Sequence, residues 1–591
     1  MYSQLNKEAF EQLVAIGNFR QPATTWIKGG KVLFVHTGEV RSTQVALSGE
    51  RIAYVGDREP LVGPDTRIID GESYTLVPGY IEPHAHPFQG YNPQTLADFA
   101  VTHGTTTLLH DDLMLFLHLN QEQMESVFEV LDHSPANNFW WARLDPQVRQ
   151  AEVFRRFTPE RLERTLAYPR VLQAGELTFW RDVIDGDPEM LNRMWGAVLS
   201  GKRIETHNPG SSADTLSAVA AAGASACHES ISGLEVVTRV RLGYYAALRH
   251  SSIRPDLERL IQELMAAGFT AWDRVLFTTD GSPPFFLAGG LVDDCVRIAQ
   301  RAGLSPAIVY RMASLNPATY YGLERDLGSI APGRVADLLF LEDLNHPTPA
   351  RVMVHGQMVA EAGRLTQLSG RVDWSKHGMG TLPMFSAPIR AEWLAVPEGG
   401  ELTPVMEYTN AVITRVRMEP STKAWSRGEP IAETGLMYAA LLDRGGKWVA
   451  NALVRGLGHF DALASTYSLT GDFVVFGTDL EQMASALHRV RSVGGGICLW
   501  ENGELLYELR LPLLGTMSTE PMDWLIPATT RLVELLRERG YRHEDPIYSL
   551  LFLSATHLPF VRLTPQGLME IKSGKVLLPA RNLSGLASLN G

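Results

Sequence analysis

His84 and His86 form a His-x-His pair in the segment Ile81-Glu82-Pro83-His84-Ala85-His86, behind a run at 74–80 that reads as a strand. Side chains on a strand alternate with period 2, so both imidazoles point to one side. Two neutral imidazoles converging at a strand's end can hold a divalent metal. Such a pair is common by chance, and its weight comes from residues further along that close successive apolar patterns. Glu176 ends 171–175, His207 sits in Glu205-Thr206-His207-Asn208, His228 follows Ala226-Cys227, and Asp280 ends 276–279. Four imidazoles and two carboxylates suit one or two borderline divalent ions such as Mn, Fe or Zn. No thiolate joins them, which argues against a structural Cys-type zinc site. A divalent ion lowers the pKa of bound water towards ~7 and supplies hydroxide at neutral pH. Asp280, at the last strand, is placed to take the proton of the attacking water. Glu229, beside His228, either passes a proton to the leaving group or orients the imidazole next to it.

These residues need a frame that brings strand ends together. From 78 to about 323, short apolar strands at 105–109, 171–174, 203–206, 224–227 and 274–279 alternate with helical patterns. That alternation predicts parallel βα units, which in a barrel carry their chemistry at the C-terminal rim. Upstream, an amphipathic helix is expected at 7–16 and short strands at 31–35, 43–47 and 51–55. Strand patterns return at 337–341 and 351–354 and are expected to pair with 30–78 as one sheet module, with the barrel inserted between. The chain turns irregular around 370–400, and 400–591 reads as a separate α+β region with strands at 473–476 and 496–500.

Bulk properties narrow the class. At 591 residues, length suggests three or four domains of ~150 residues. A composition of 45% hydrophobic and 20% charged residues is that of an ordinary soluble globular protein. The net charge of −13 argues against general nucleic-acid binding, though local basic patches remain open. Cys227, Cys295 and Cys498 lie far apart and suggest a reducing compartment. The start of the chain has no apolar h-region, and no run approaches the ~20 apolar residues of a membrane span. A cytoplasmic location without membrane contact is expected.

The ordered set His-x-His, Glu, His, His, Asp resembles the amidohydrolase superfamily, and over most of its length the chain resembles the adenine deaminase family. Similar stretches are Leu76-Val77-Pro78-Gly79-Tyr80-Ile81, His103-Gly104-Thr105-Thr106-Thr107, His207-Asn208-Pro209-Gly210 and Asn316-Pro317-Ala318-Thr319. Gly328–Leu338, Val493-Gly494-Gly495-Gly496 and residues 511–518 also fit. Glu176 stands where many superfamily members place a carbamylated Lys, which narrows the resemblance to this family.

The resemblance implies an α/β protein with a metal-dependent (β/α)8 TIM-like barrel at 78–323. The barrel is inserted in a small β-sandwich module (1–77 and 324–375) and followed by an adenine deaminase-type α+β domain at 385–591. It implies a binuclear centre on His84, His86, Glu176, His207, His228 and Asp280, a homodimer, and hydrolytic deamination of adenine or a related amino-heterocycle. Hydrolysis of an amide or lactam C–N bond in another cyclic or aryl compound is the alternative, and a non-catalytic binding protein on the same fold is a third. The chain departs from the family pattern at His110-Asp111-Asp112-Leu113-Met114, where an Asp-Pro-His-Glu-like run is usual, at Gly281, and across 464–472, where two histidines are usual. His110, Asp112, Trp180 and Ser282 are expected to contact the small-molecule substrate. The departures predict weak turnover of adenine itself and better turnover of a related heterocycle or cyclic amide.

Overall fold

A computed structural model describes residues 5–367, 370–397, 400–422, 425 and 435–583. Its centre is a sheet of eight strands: β1 (Tyr80–Ala85), β2 (Thr105–Asp111), β3 (Asn137–Ala142), β4 (Val171–Leu177), β5 (Arg203–Thr206), β6 (Ala226–Cys227), β7 (Tyr245–Arg249) and β8 (Val275–Thr278). Neighbours pair in parallel from β1 to β8 in chain order. Side chains draw the two end strands together. Glu82 on β1 accepts hydrogen bonds from Thr278 Oγ1 at 2.8 Å, from Thr279 N at 2.9 Å and from Thr279 Oγ1 at 2.8 Å. The result is the expected α/β barrel.

Helices between the strands cover the outer face, so most of the strand residues are buried, as parallel sheets require. Several of these helices start where the sequence supplies a side-chain cap. Thr158, Asp187 and Ser212 each accept a backbone N–H of the first turn of Pro159–Ala167, Pro188–Leu199 and Ala213–Ala221. The N-terminal mouth of the barrel is filled by Tyr320 and Tyr321 of the helix Leu315–Tyr321. Tyr321 OH lies 2.8 Å from Gln173 Oε1 and 3.1 Å from Pro83 O. With that end plugged, the C-terminal ends of the strands are left to form the site.

Around the barrel's start and finish, the strand Leu338–Leu341 pairs antiparallel with Thr75–Pro78, which runs parallel to Lys31–Phe34. These belong to a seven-stranded sheet that shares a core with a four-stranded one. Ile27, Val45 and Ile69 pack against Val32, Leu76 and Phe340. The C-terminal part holds a nine-stranded sheet and a three-stranded one, and the strands expected there appear as Phe473–Gly477 and Gly496–Glu501. It sits on the barrel's C-terminal mouth. Tyr548 OH donates to Gly281 O at 2.7 Å, Ser252 Oγ to Asp545 Oδ2 at 2.6 Å, and Arg149 N to Thr556 Oγ1 at 2.8 Å. No helix among the described residues is long and apolar enough to cross a membrane.

Candidate metal centre

The six residues His84, His86, Glu176, His207, His228 and Asp280 come from the ends of five different strands and meet in one cluster. Three sets of ligand atoms each lie within 4.8 Å of one another: His84, His86 and Glu176; His84, His228 and Asp280; and Glu176, His207 and His228. Glu176 belongs to two of these sets. Its Oε1 lies 2.7 Å from His207 Nδ1 and 3.3 Å from His228 Nε2. Its Oε2 is turned the other way, 2.9 Å from Arg143 Nη1 and 3.2 Å from Gln147 Nε2.

The donor set fits divalent metal. His84 Nδ1 is 2.8 Å from Glu205 Oε2, His86 Nδ1 is 2.7 Å from Asp111 Oδ2, and His228 Nδ1 is 3.1 Å from Glu205 Oε1. A neutral imidazole bonded to a carboxylate through Nδ1 carries its proton there, so the Nε2 lone pairs point inward. His84 Nε2 and His86 Nε2 face each other at 3.1 Å, and Asp280 Oδ1 is 3.2 Å from both. Bare acceptors at that separation repel, and a cation placed among them converts the repulsion into ligation. The surrounding carboxylates favour positive charge at the same place, whether a proton or a metal supplies it. Burial alone would depress the His84 imidazole, but Glu205, opposed by His228, helps carry it up to about 9. Burial alone would raise Glu205, and His84 and His228 bring it down to about 2. Asp280 is held well below the usual carboxylate range, against burial, first by Arg249, whose Nη1 is 2.8 Å from Oδ2.

Glu229 is clamped. Arg249 Nη1 bonds one oxygen, and Arg254 Nη1 reaches the other at 2.5 Å. Against burial, Arg249, His207 and Arg254 hold the carboxyl far below its ordinary range. Its Oε1 still lies 3.5 Å from both His207 Nδ1 and His228 Nε2.

The four substrate contacts expected from sequence stand elsewhere. His110 points to the helix side of β2, bonded to Asn138 Oδ1 at 2.8 Å, and burial pushes its imidazole down to about 4. The reason is strand parity: Asp111, its neighbour, takes the inward position and holds His86. Asp112 is buried and accepts from Arg143 N at 3.0 Å. Trp180 begins the short helix Trp180–Ile184, outside the cavity wall. Ser282 Oγ donates to Thr279 O at 3.0 Å and accepts from Ser252 N at 3.1 Å, a loop brace.

The residues that sequence reasoning passed over hold the ligands from behind. Glu205 stands two positions before His207 on β5, so period 2 was a usable signal for it. Arg143 follows β3, and Arg249 ends β7.

Above the cluster lies a cavity of about 710 Å3, within the ~300–1,000 Å3 span of small-molecule sites. The barrel contributes its floor, and the C-terminal part roofs it with Val412, Ile413, Leu469, Tyr548, Leu551 and Phe552. His557 also reaches in. Its Nδ1 is 3.2 Å from Gln147 O, and burial, then His207, push its imidazole down to about 3. Donation to that carbonyl leaves the Nε2 lone pair free as an acceptor. Tyr467 OH bonds Gln89 Oε1, leaving the Gln89 amide nitrogen as a donor on the cavity wall.

Comparison with known proteins decides the family. The amidohydrolase family profile matches residues 75–359, and the adenine deaminase C-terminal domain profile matches residues 409–575. A Halalkalibacterium halodurans protein provisionally named an adenine deaminase is 37% identical over 98% of this chain and 99% of its own. The chain belongs to the adenine deaminase family of amidohydrolases. A second provisionally named adenine deaminase, from Bacillus cereus, is 37% identical over 98% of both chains. A Ruegeria sp. protein named adenine deaminase is 31% identical over 95% of this chain and 96% of its own. Like other adenine deaminase-like amidohydrolases, the chain is a hydrolase acting on C–N bonds.

Proposed function

We propose that the chain binds two divalent ions of the Mn, Fe or Zn class on His84, His86, Glu176, His207, His228 and Asp280, and hydrolytically deaminates adenine or a related amino-heterocycle. The observation that carries this reading is the convergence of inward-facing imidazole and carboxylate atoms, the outer atoms of His84, His86, His228, Glu176 and Asp280 being already hydrogen-bonded. The ions would supply Lewis acidity and an activated water.

The chain's own residues do the rest. Asp280 Oδ1 faces the imidazoles while Arg249 holds Oδ2, so the carboxylate is aimed as the acceptor of the water's proton and its donor to the departing amine. Glu229, gripped by two guanidinium groups, acts as a positioning residue for Arg249 and the His207–His228 pair. Among the polar groups on the cavity wall, Gln89 offers an amide donor and His557 a ring acceptor, a pair that suits the edge of a flat heterocycle. The apolar roof stacks on its face and excludes water. His557 also supplies an imidazole from the C-terminal part, where the segment 464–472 has none.

Cyclic-amide hydrolysis remains the second reading, favoured by the apolar share of the roof. The test is ammonia release from metal-loaded protein across adenine, other aminopurines, aminopyrimidines and cyclic amides. Ammonia from an amino-heterocycle supports deamination. Turnover confined to cyclic amides, without ammonia, overturns it.

A further inference from the structure

A second cavity, of about 610 Å3, lies at the seam between the barrel and the C-terminal sheet and shares no lining residue with the first. Five cations line it, Arg149, Arg155, Arg156, Arg444 and Lys447, against the carboxylates Glu152, Asp443 and Asp472. Arg149 is committed to Asp182 at 2.7 Å, and Arg155 meets Glu152 only at 3.9 Å. The side chains of Arg156, Arg444 and Lys447 make no ion pair among the described residues. The aspartates are turned to other donors: Asp443 Oδ2 accepts from Lys447 N at 2.8 Å, and Asp472 accepts from Arg444 N at 3.0 Å and Thr470 Oγ1 at 2.6 Å.

Two buried nitrogens of lining residues, Arg444 Nη1 and His118 Nε2, lie just behind the wall and have no hydrogen-bond partner among the described residues. They meet over Gly471, where a Cβ would stand 3.2 Å from Arg444 Nη1 and 3.8 Å from His118 Cε1. Burial first, then Arg444 and Arg156, push the His118 imidazole down to about 3, while Asp472 and Asp443 partly offset the charge of Arg444. A buried donor left unsatisfied costs stability unless an acceptor is brought to it, whereas the exposed Arg156 and Lys447 are free to meet a ligand at the cost of water alone. Guanidinium forks match the oxygens of a phosphate. The cavity has room beyond one oxyanion, with the half-buried Trp448 on its wall.

We propose that this seam cavity binds a phosphorylated small molecule, its phosphate held by Arg156, Arg444 and Lys447. The test is calorimetric titration of the full-length, metal-loaded protein with ribose 5-phosphate and with inorganic phosphate, in phosphate-free buffer. Saturable binding of ribose 5-phosphate is expected, tighter than that of inorganic phosphate. Arg444→Gln and Arg156→Gln should each weaken it by ~10-fold or more. Lys447→Gln, at an exposed position, should weaken it without any effect on folding. Without ligand, the Arg156→Gln variant should melt at or above the wild-type temperature, because repulsion is relieved. No binding of either compound, or binding unchanged in all three variants (as for phosphate held at the metal cluster instead), overturns the proposal. So does a lowered ligand-free melting temperature with unchanged binding, which would make these cations structural.

Discussion

At the barrel rim, six candidate ligand groups sit at strand ends, five of them buried, each held by carboxylates, arginines or a neighbouring strand. Across the cavity, residues 548–560 present side chains from a short helix and a loop, and most are apolar. The floor is held in place because His84, His86, Glu176, His228 and Asp280 are each bonded on two sides, and the roof is shaped by packing. Chemistry on such a site follows the floor, and choice of substrate follows the roof. Members of one family can therefore keep the first while changing the second.

The most damaging substitution should be in the floor. Asp280→Asn is expected to melt near the wild-type temperature yet lose ~100-fold or more in kcat, the usual scale for removing a proton-transfer group. Near-normal ammonia release from this variant would remove Asp280 from its role. One layer back, Glu205→Gln should weaken metal binding by ~10–100-fold, because His84 and His228 both lose their carboxylate partner. Chelator competition reads this directly, and an unchanged metal affinity would show that Glu205 is only a packing residue.

The roof should answer differently. Phe552→Ala is expected to raise KM by ~10-fold, the worth of one buried ring, while kcat and metal content stay close to wild type. A fall in kcat with KM unchanged would break the division between floor and roof.

The smallest effect concerns the joint between the two. Burial raises the Asp545 carboxyl to about 6, opposed by the hydrogen bond from Ser252. The folded protein thus holds this proton more tightly than the unfolded chain, in which Asp titrates near ~3.9. The linked stability is fully present below ~4 and is lost as pH rises through about 6. Asp545→Asn removes that loss, so the variant's Tm relative to wild type should be higher at about pH 8 than at about pH 5. A difference that shrinks with rising pH would contradict the assignment.

Strand endings made the residues of the cluster legible. Glu176, His228 and Asp280 each follow a mainly apolar stretch, while His84, His86 and His207 stand in or just past short strands, and a strand with a polar end is visible in a single chain. β3 and β7 were not visible. The first opens on Asn137-Asn138 and is otherwise aromatic, and the second, Tyr245-Ala246-Ala247-Leu248-Arg249, has no β-branched residue. Arg143 and Arg249 were lost with those strands. His110 misled because a position beside Asp111 on a strand faces the opposite way, and which of the two faces inward depends on a register that β-bulges shift in β1. The roof was illegible for a deeper reason: Tyr548, Phe552 and His557 lie more than 250 positions from the strands they cover, and no local pattern records such a contact.

The proposed function stands or falls with the strand-end cluster as holder of the metal on which turnover depends. The most direct measurement is metal content and ammonia release together, in wild-type protein and in His84→Ala, after stripping and reloading. The wild type should carry bound divalent metal, with activity that vanishes on stripping and returns on reloading, and His84→Ala should lose both metal and activity. Full metal content with wild-type activity in His84→Ala would contradict it.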